Sequence, residues 1–273
     1  MTIASSTKLP LDWTVILFMT ALHIGALCAL LPGNFSWEAV GLAVFLHWVT
    51  GGLGITLGFH RLVTHRSFQT PKWLEYFLVF CGTLACQGGP IDWIGMHRVH
   101  HLNSDHDGDP HDSNRGFWWS HMGWMLYEIP VRAEVERYAK DIVNDPVYQF
   151  FQKYMVAIQV VFAGCLYLLG GWPFVIWGIF VRLVAVYHCT WLVNSATHTF
   201  GYQSYESNDR SKNCWWVALL VYGEGWHNNH HAFQYSARHG LKWWEIDLTW
   251  MTIRFLQMLG LAQKVKLAEI DQG

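Results

Sequence analysis

Apolar runs of membrane-crossing length alternate with strongly polar segments along this chain. A bilayer core is crossed by about 20 apolar residues in helical form, and four runs approach that length. They cover 13–31, ending at Pro32-Gly33-Asn34; 37–59; 154–169, ending at Gly170-Gly171; and 172–193. Each predicts a transmembrane helix. A fifth run, 73–89, is ambiguous, because it contains Glu75 and closes with Gln87-Gly88-Gly89-Pro90. The remaining segments, 60–153 and 194–273, predict a helical cap outside the bilayer. The expected fold is therefore an all-α integral membrane protein, with 1–273 forming a single domain.

The polar segments are rich in histidine. Clusters read His60-Arg-Leu-Val-Thr-His65, His97-Arg-Val-His100-His101 and His227-Asn-Asn-His230-His231, and Asn194-Ser-Ala-Thr-His198 brings the count to nine. Imidazole is the commonest protein ligand for transition metals. One zinc ion needs only three or four protein ligands, so nine histidines favour two ions in a nearly all-nitrogen shell. His97, His100 and His101 stand at i, i+3 and i+4, on one helix face, and the third cluster repeats that spacing. Asn194 and His198 share a face in the same way. His60 and His65 are five apart and diverge on an ideal α-helix, so the second run is expected to loosen near its end.

One metal site requires all clusters on one side of the membrane. The run 73–89 is then expected to dip and return as an interfacial or buried helix. The paired third and fourth spans return His198 and the third cluster to the starting side. Basic residues agree: the connections 32–36 and 170–173 contain none, whereas Lys8, Arg61, Arg66, Lys72, Arg98, Arg115 and Arg132 fall on the histidine side. The positive-inside rule makes that side cytoplasmic. Arg182, inside a span, is expected to be structural, with an interhelical partner.

Composition narrows the class. Only 14% of residues are charged and 17 are tryptophan, which is too apolar for an ordinary soluble enzyme and suits a protein at a membrane interface. A net charge of -2 gives no argument for nucleic acid. The six cysteines form no CxxC pair and read as buried thiols, and no cleavable signal peptide is expected. Asp105-x-Asp107-x-Asp109 fails as a calcium loop, since Pro110 and Gly116 stand where Gly and Glu are needed. Soluble di-iron bundles use two Glu-x-x-His motifs, and only Glu224-Gly-Trp-His227 fits that spacing. His23 and His47 read as hydrogen-bonded span residues. His106, His111, His121, His188 and His239, with Asp92, Asp105, Asp107, Asp109 and Glu224, are candidates to support ligand imidazoles from outside.

The HxxxxH, HxxHH and HxxHH boxes, in this order among these spans, resemble the membrane-bound fatty acid desaturases. Gly54-Ile-Thr-Leu-Gly-Phe-His-Arg-Leu, Asp109-Pro-His, Arg115-Gly-Phe-Trp-Trp-Ser-His-Met-Gly-Trp, Trp191-Leu-Val-Asn-Ser-Ala-Thr-His and Gly223-Glu-Gly-Trp-His-Asn-Asn-His-His are similar to the Δ9 branch. That branch includes stearoyl-CoA desaturases and cyanobacterial acyl-lipid Δ9 desaturases. The resemblance spans 41–261. It implies that His60, His65, His97, His100, His101, His198, His227, His230 and His231 bind two irons, with Asn194 acting through a water. It implies O₂ as co-substrate, and a thylakoid or plasma membrane if the source is cyanobacterial. The chain carries no cytochrome-b5-like domain, flavin motif or iron–sulfur cysteine pattern. The electron donor is then a separate protein, ferredoxin or a similar one-electron carrier.

Acyl-CoA relatives carry Arg near the second box and an Arg-Lys pair farther on. Here those stretches read Gly95-Met96 and Tyr127-Glu128, which favours an acyl chain already esterified to a membrane glycerolipid. Trp48 and Gly52 lie 12 and 8 residues before His60, about 18 and 12 Å along a helix, and are candidate acyl-tunnel residues; ordinary helix packing is the alternative. A hydroxylase on the same boxes, an acyl-CoA Δ9 desaturase and a non-enzymatic membrane metal-binding protein remain open rivals.

Overall fold

The computed structural model describes residues 9–270. Among these residues it is all-helical, with only isolated β-bridges such as Gln69–Gln263 and Asn213–Trp226. Three helical stretches are long and apolar enough to cross a membrane: Trp13–Leu30, Trp37–Thr64 and Pro146–His198. Their outer faces are unusually apolar, with Leu17, Ile24, Leu27, Val44, Val160 and Leu168 all exposed. That pattern suits a lipid solvent rather than water.

The first stretch is α1 (Trp13–Leu27), capped by Asp12, whose side chain accepts from Val15 N at 3.1 Å. The second begins as α2 (Trp37–His47) with Ser36 as its cap and runs on as π-helix from Trp48 to Thr64. It is longer than the 37–59 expected from hydropathy, because Arg61 is buried and partnered inside the protein. The third contains α6 (Pro146–Val175) and α7 (Arg182–Ser195), joined by a π-helical turn at Ile176–Val181. Gly170 and Gly171 leave helical geometry, and Gly171 has φ +64°, a conformation that costs glycine little. The break coincides with the predicted boundary between the runs 154–169 and 172–193.

Residues 73–89 do not form one continuous helix. α3 (Lys72–Thr83) occupies the first part, and α4 (Pro90–Asn103) starts after the Gln87–Gly89 turn. α3 is about 18 Å long at 1.5 Å per residue, too short for a bilayer core. It buries Leu74, Leu78, Val79 and Cys81 and exposes Trp73 and Phe77. Its close approach to the second stretch depends on glycine. A Cβ at Gly54 would sit 2.4 Å from Gly82 N, and one at Gly58 would sit 3.0 Å from Leu78 O.

The polar segments are short helices: α5 (Phe117–His121), α8 (Trp215–Leu220), α9 (His227–Ala232) and α10 (Leu248–Met258). Two arginines tie them to the second stretch. Arg98 on α4 donates to Val63 O, Tyr138 O and Asp141. Arg61 donates to Glu224, Asp247 and Ala237 O and is fully buried. Arg182 donates to Leu84 O at the end of α3 and to Gly178 O, so its interhelical partner is a backbone carbonyl.

Candidate metal centre

Local winding explains how the first histidine cluster comes to face one point. On an α-helix His60 and His65 would diverge, but an i→i+5 ladder stacks residues five apart. His65 N donates to His60 O at 3.1 Å, and the two rings stand 4.6 Å apart, edge to face. α4 presents His97, His100 and His101, α9 presents His227, His230 and His231, and His198 ends the turn after α7.

These nine residues gather into two groups. His60, His65, His97, His101 and His230 form one; His100, His198, His227 and His231 form the other; within each, the candidate donor atoms lie within 4.8 Å of one another. α4 and α9 each contribute to both groups, so the two pockets share walls.

The contacts inside the groups involve one kind of atom. Nε2 of His60 is 3.2 Å from Nε2 of His230, His65 is 3.3 Å from His97, and His101 is 3.0 Å from both His97 and His230, all through Nε2. In the second group Nε2 of His227 is 3.1 Å from Nε2 of His198. Nitrogens about 2.1 Å from one ion would be separated by about 3.0 Å at a right angle and about 3.4 Å at a tetrahedral one. Nε2 of His100 and of His231 is buried with no hydrogen-bond partner. Converging, unpartnered imidazole nitrogens fit a pair of transition-metal ions, and such donor sets suit iron, zinc, copper or nickel.

Carboxylates hold the rings from behind. Asp109 bonds His100 Nδ1 at 3.0 Å, Asp105 bonds His198 Nδ1 at 2.8 Å and Asp209 bonds His231 Nδ1 at 2.5 Å. Glu224 Oε2 lies 2.9 Å from His60 Nδ1 and 3.0 Å from His239 Nδ1. A carboxylate on Nδ1–H fixes the tautomer that leaves Nε2 free for a metal. Asp105, Asp109 and Glu224 were among the expected supports. Asp209 was missed, because it sits in a polar loop 22 residues before His231 with no motif around it. Asp92 instead accepts from Gln152, and Asp107 is exposed.

The outer histidines divide. His239 touches Glu224, and the His111 ring lies 4.1 Å from that of His100. His106 contacts its own loop at Ser104 O. His121 and His188 form a chain from His23 to Ser195, with links of 3.1, 3.0 and 2.9 Å. His47 bonds Tyr222 at 2.6 Å. Both span histidines are therefore hydrogen-bonded.

Protonation favours metal binding. Burial, reinforced by neighbouring rings, drives His65, His97, His101, His227 and His230 well below the ordinary imidazole value, so they are neutral, the form a metal requires. Burial lowers His231 to about 4 against the opposing pull of Asp209. Burial opposes ionisation of Asp105, Asp109 and Asp209 too, but contacts with His198, His100 and His231 outweigh it and hold all three carboxyls below the usual range.

Asn194 is half-buried one turn before His198. Next to Glu224 lies a small, mostly apolar cavity lined by Gly51, Ile55, Val186, Cys189, Val193 and Tyr222, among others. The glycine on its wall is Gly51. Gly52 is also buried, but a Cβ there would meet Trp48 Cδ1 at 3.0 Å and Tyr222 Cδ2 at 3.4 Å, and Trp48 is 42% exposed.

A family model for fatty acid desaturase matches residues 35–259. The sn-1 stearoyl-lipid 9-desaturase of Anabaena variabilis is 70% identical over 272 residues, covering 100% of both chains. The sn-1 stearoyl-lipid 9-desaturase of Synechocystis sp. is 66% identical, over 96% of this chain and 83% of its own length. An acyl-CoA 5-desaturase of Anemone leveillei is 46% identical, over 92% of this chain and 78% of its own. The chain belongs to the fatty acid desaturase family.

Proposed function

We propose that this family member catalyses O₂-dependent Δ9 desaturation of saturated C18 or C16 acyl chains esterified to membrane glycerolipids. Two irons would be held by His60, His65, His97, His101 and His230 on one side and His100, His198, His227 and His231 on the other, with Asn194 acting through a water. The observation that carries the reading is the convergence of nine imidazole donors in two groups beside an apolar cavity. Full-length identity of 70% to a stearoyl-lipid 9-desaturase, against 46% to an acyl-CoA enzyme, supports the lipid-borne substrate.

Unactivated C–H bonds yield only to a strong oxidant, and when bound the metal pair supplies it together with the means to share electrons with O₂. The balance is fixed: the chain gives up two hydrogens, a donor adds two electrons and solvent two protons, and O₂ leaves as two waters. The protein's part is position and dryness. Asp109, Asp105 and Asp209 hold the imidazoles of His100, His198 and His231 in one tautomer. Ile55, Val186 and Val193 line the cavity with groups that offer water no hydrogen bond, and Tyr222 with His47 closes part of its wall.

The topology follows the same reading. Pro146–His198 is 53 residues, about 80 Å of helix, more than twice a bilayer core of about 30 Å. The non-helical break at Gly170–Gly171 supports a division of this stretch into two spans, four in all, and on this reading α3 lies at the interface and the histidine cap of a single domain on the cytoplasmic side. A one-electron donor such as ferredoxin would dock on that side. A cleft of about 550 Å³ lined by Arg66, Lys72, Lys264 and Lys266, with Asp141 paired to Arg66 and Glu75 to Lys72, keeps a net positive charge to offer an acidic carrier.

The test is expression in a host that supplies ferredoxin, with double bonds in membrane lipids mapped by mass spectrometry. New Δ9 monoenes are expected with the wild type and none with His101→Ala at equal abundance. Hydroxylated chains would replace desaturation with oxygenation, and bound metal without any lipid product would refute the reading.

A further inference from the structure

The two histidine groups differ in what stands behind them. In the four-histidine group, three of the four rings rest on aspartates whose side chains are 1–8% exposed: Asp109 under His100, Asp105 under His198 and Asp209 under His231. Their other partners are backbone N–H groups, such as those of Ser113, Arg210 and Ser211, the neighbouring ring of His111 and the Ser207 hydroxyl. Among the described residues none of the three is paired with a lysine or arginine side chain. The five-histidine group has Glu224 beside His60, and that carboxylate shares the fully buried Arg61 with Asp247. Nδ1 of His60, of His101 and of His230, in that group, is buried without a hydrogen-bond partner, although Glu224 Oε2 lies 2.9 Å from His60 Nδ1.

Buried carboxylates without a cation are costly. Three formal negative charges stand behind the four-histidine group, against a net of one behind the other. Nε2 of His100 and of His231, both in the four-histidine group, is unpartnered, on the opposite edge of each ring from its aspartate. We propose that the four-histidine pocket, backed by Asp105, Asp109 and Asp209, is the tighter of the two metal pockets and fills first. This rests on the two-metal reading given above. A divalent cation there offsets buried charge that nothing else in the pocket balances. Each aspartate also strengthens its ring as a donor and fixes its tautomer, a contribution worth about 10–100-fold in metal affinity per partner. The five-histidine pocket offers one more nitrogen, but Arg61 balances one of its two carboxylate charges and three of its rings lack a hydrogen-bond partner at Nδ1. It is the pocket that loses its ion first.

Equilibrium dialysis of the metal-stripped full chain in detergent against Zn²⁺, read by elemental analysis, tests the order. The wild type is expected to show a tighter and a weaker class of one ion each. Asp209→Asn should weaken the tighter class about 10–100-fold and leave the weaker one in place. Glu224→Gln should do the reverse. A merely structural role would move both classes together, and that outcome overturns the proposal. Because Asp209→Asn could fail to fold, a second measurement uses the wild type alone. Crystals of protein loaded with one equivalent of Zn²⁺ should show the anomalous zinc peak among His100, His198, His227 and His231. A peak among His60, His65, His97, His101 and His230, or equal peaks in both, overturns the order while leaving the two-metal reading intact. Absence of any zinc binding overturns both.

Discussion

Replacing Arg61 by methionine removes the one cation that two buried carboxylates share. Arg61 has a side-chain exposure of 0%, donates to Glu224 and Asp247 at 2.9 Å each, and also bonds Ala237 O at 2.8 Å. Glu224 and Asp247 are 8% and 1% exposed, so water cannot take the arginine's place. Breaking a buried pair by deleting one partner costs about 3–5 kcal/mol. With about 2–4 °C per kcal/mol in chains of this size, the melting temperature should fall on the order of 10 °C. Arg66→Ala is the contrast: Arg66 is 62% exposed, and its partner Asp141 keeps Arg98, so less than about 1 kcal/mol is expected. The assay is thermal unfolding of the purified proteins in one detergent at one scan rate, since unfolding of such a protein is governed by rate. Charge, rather than shape, is isolated by the triple variant Arg61→Met, Glu224→Gln, Asp247→Asn, which should recover part of the loss. An Arg61→Met protein as stable as the wild type, or a triple variant no better than the single, would refute the reasoning.

Other expectations follow from the same geometry. Gly54→Leu places a side chain where even a Cβ would be 2.4 Å from Gly82 N; overpacking of about 1–3 kcal/mol or more should show as lower melting and poor recovery in size-exclusion chromatography, and a wild-type profile would refute the contact. Gly51→Leu fills the cavity beside Tyr222, so the ratio of C16 to C18 monoenes measured by gas chromatography should rise, while an unchanged ratio would remove that cavity from chain-length selection. Metal-stripped protein should lose stability as pH falls below about 6.5. His65, His97, His101, His227, His230 and His231 have folded values depressed by burial. The unfolded chain therefore binds protons first on acidification, and the stability present above its ordinary value is lost toward the folded ones. His100 shifts the other way despite its burial, because Asp109 raises it, and it offsets only one of the six. A melting temperature flat from pH 7 to pH 5 would contradict the burial of these rings.

Much of this architecture was readable in the residue order because it depends on local period and length. Apolar runs identified helices at Trp13–Leu27 and Trp37–His47, and the Gly170-Gly171 pair marked the break in the long third stretch. The i, i+3, i+4 spacing put His97, His100 and His101 on one helix, since helical faces follow from sequence distance alone. The five-residue spacing of His60 and His65 required a departure from α-helical winding, and the π-helix is that departure. Residue order did not reveal where α3 would stop, because its end depends on a glycine contact with the second stretch. It also pointed to Gly52 where Gly51 lines the cavity, since neighbours in sequence face different sides of a helix.

Sequence by itself determined the histidine inventory, its helical faces and the apolar length that calls for lipid, all properties of neighbours along one chain. Tertiary structure decided how nine imidazoles divide into five and four, because that partition is set by the crossing of α4, α9 and two membrane-facing stretches far apart in sequence. It also decided which carboxylates stand behind which rings. Asp209 reaches His231, and Asp105 reaches His198 across 93 residues. Such pairings carry no periodic signal, since what brings them together is the packing of distant segments and the cost of burying a charge without a partner.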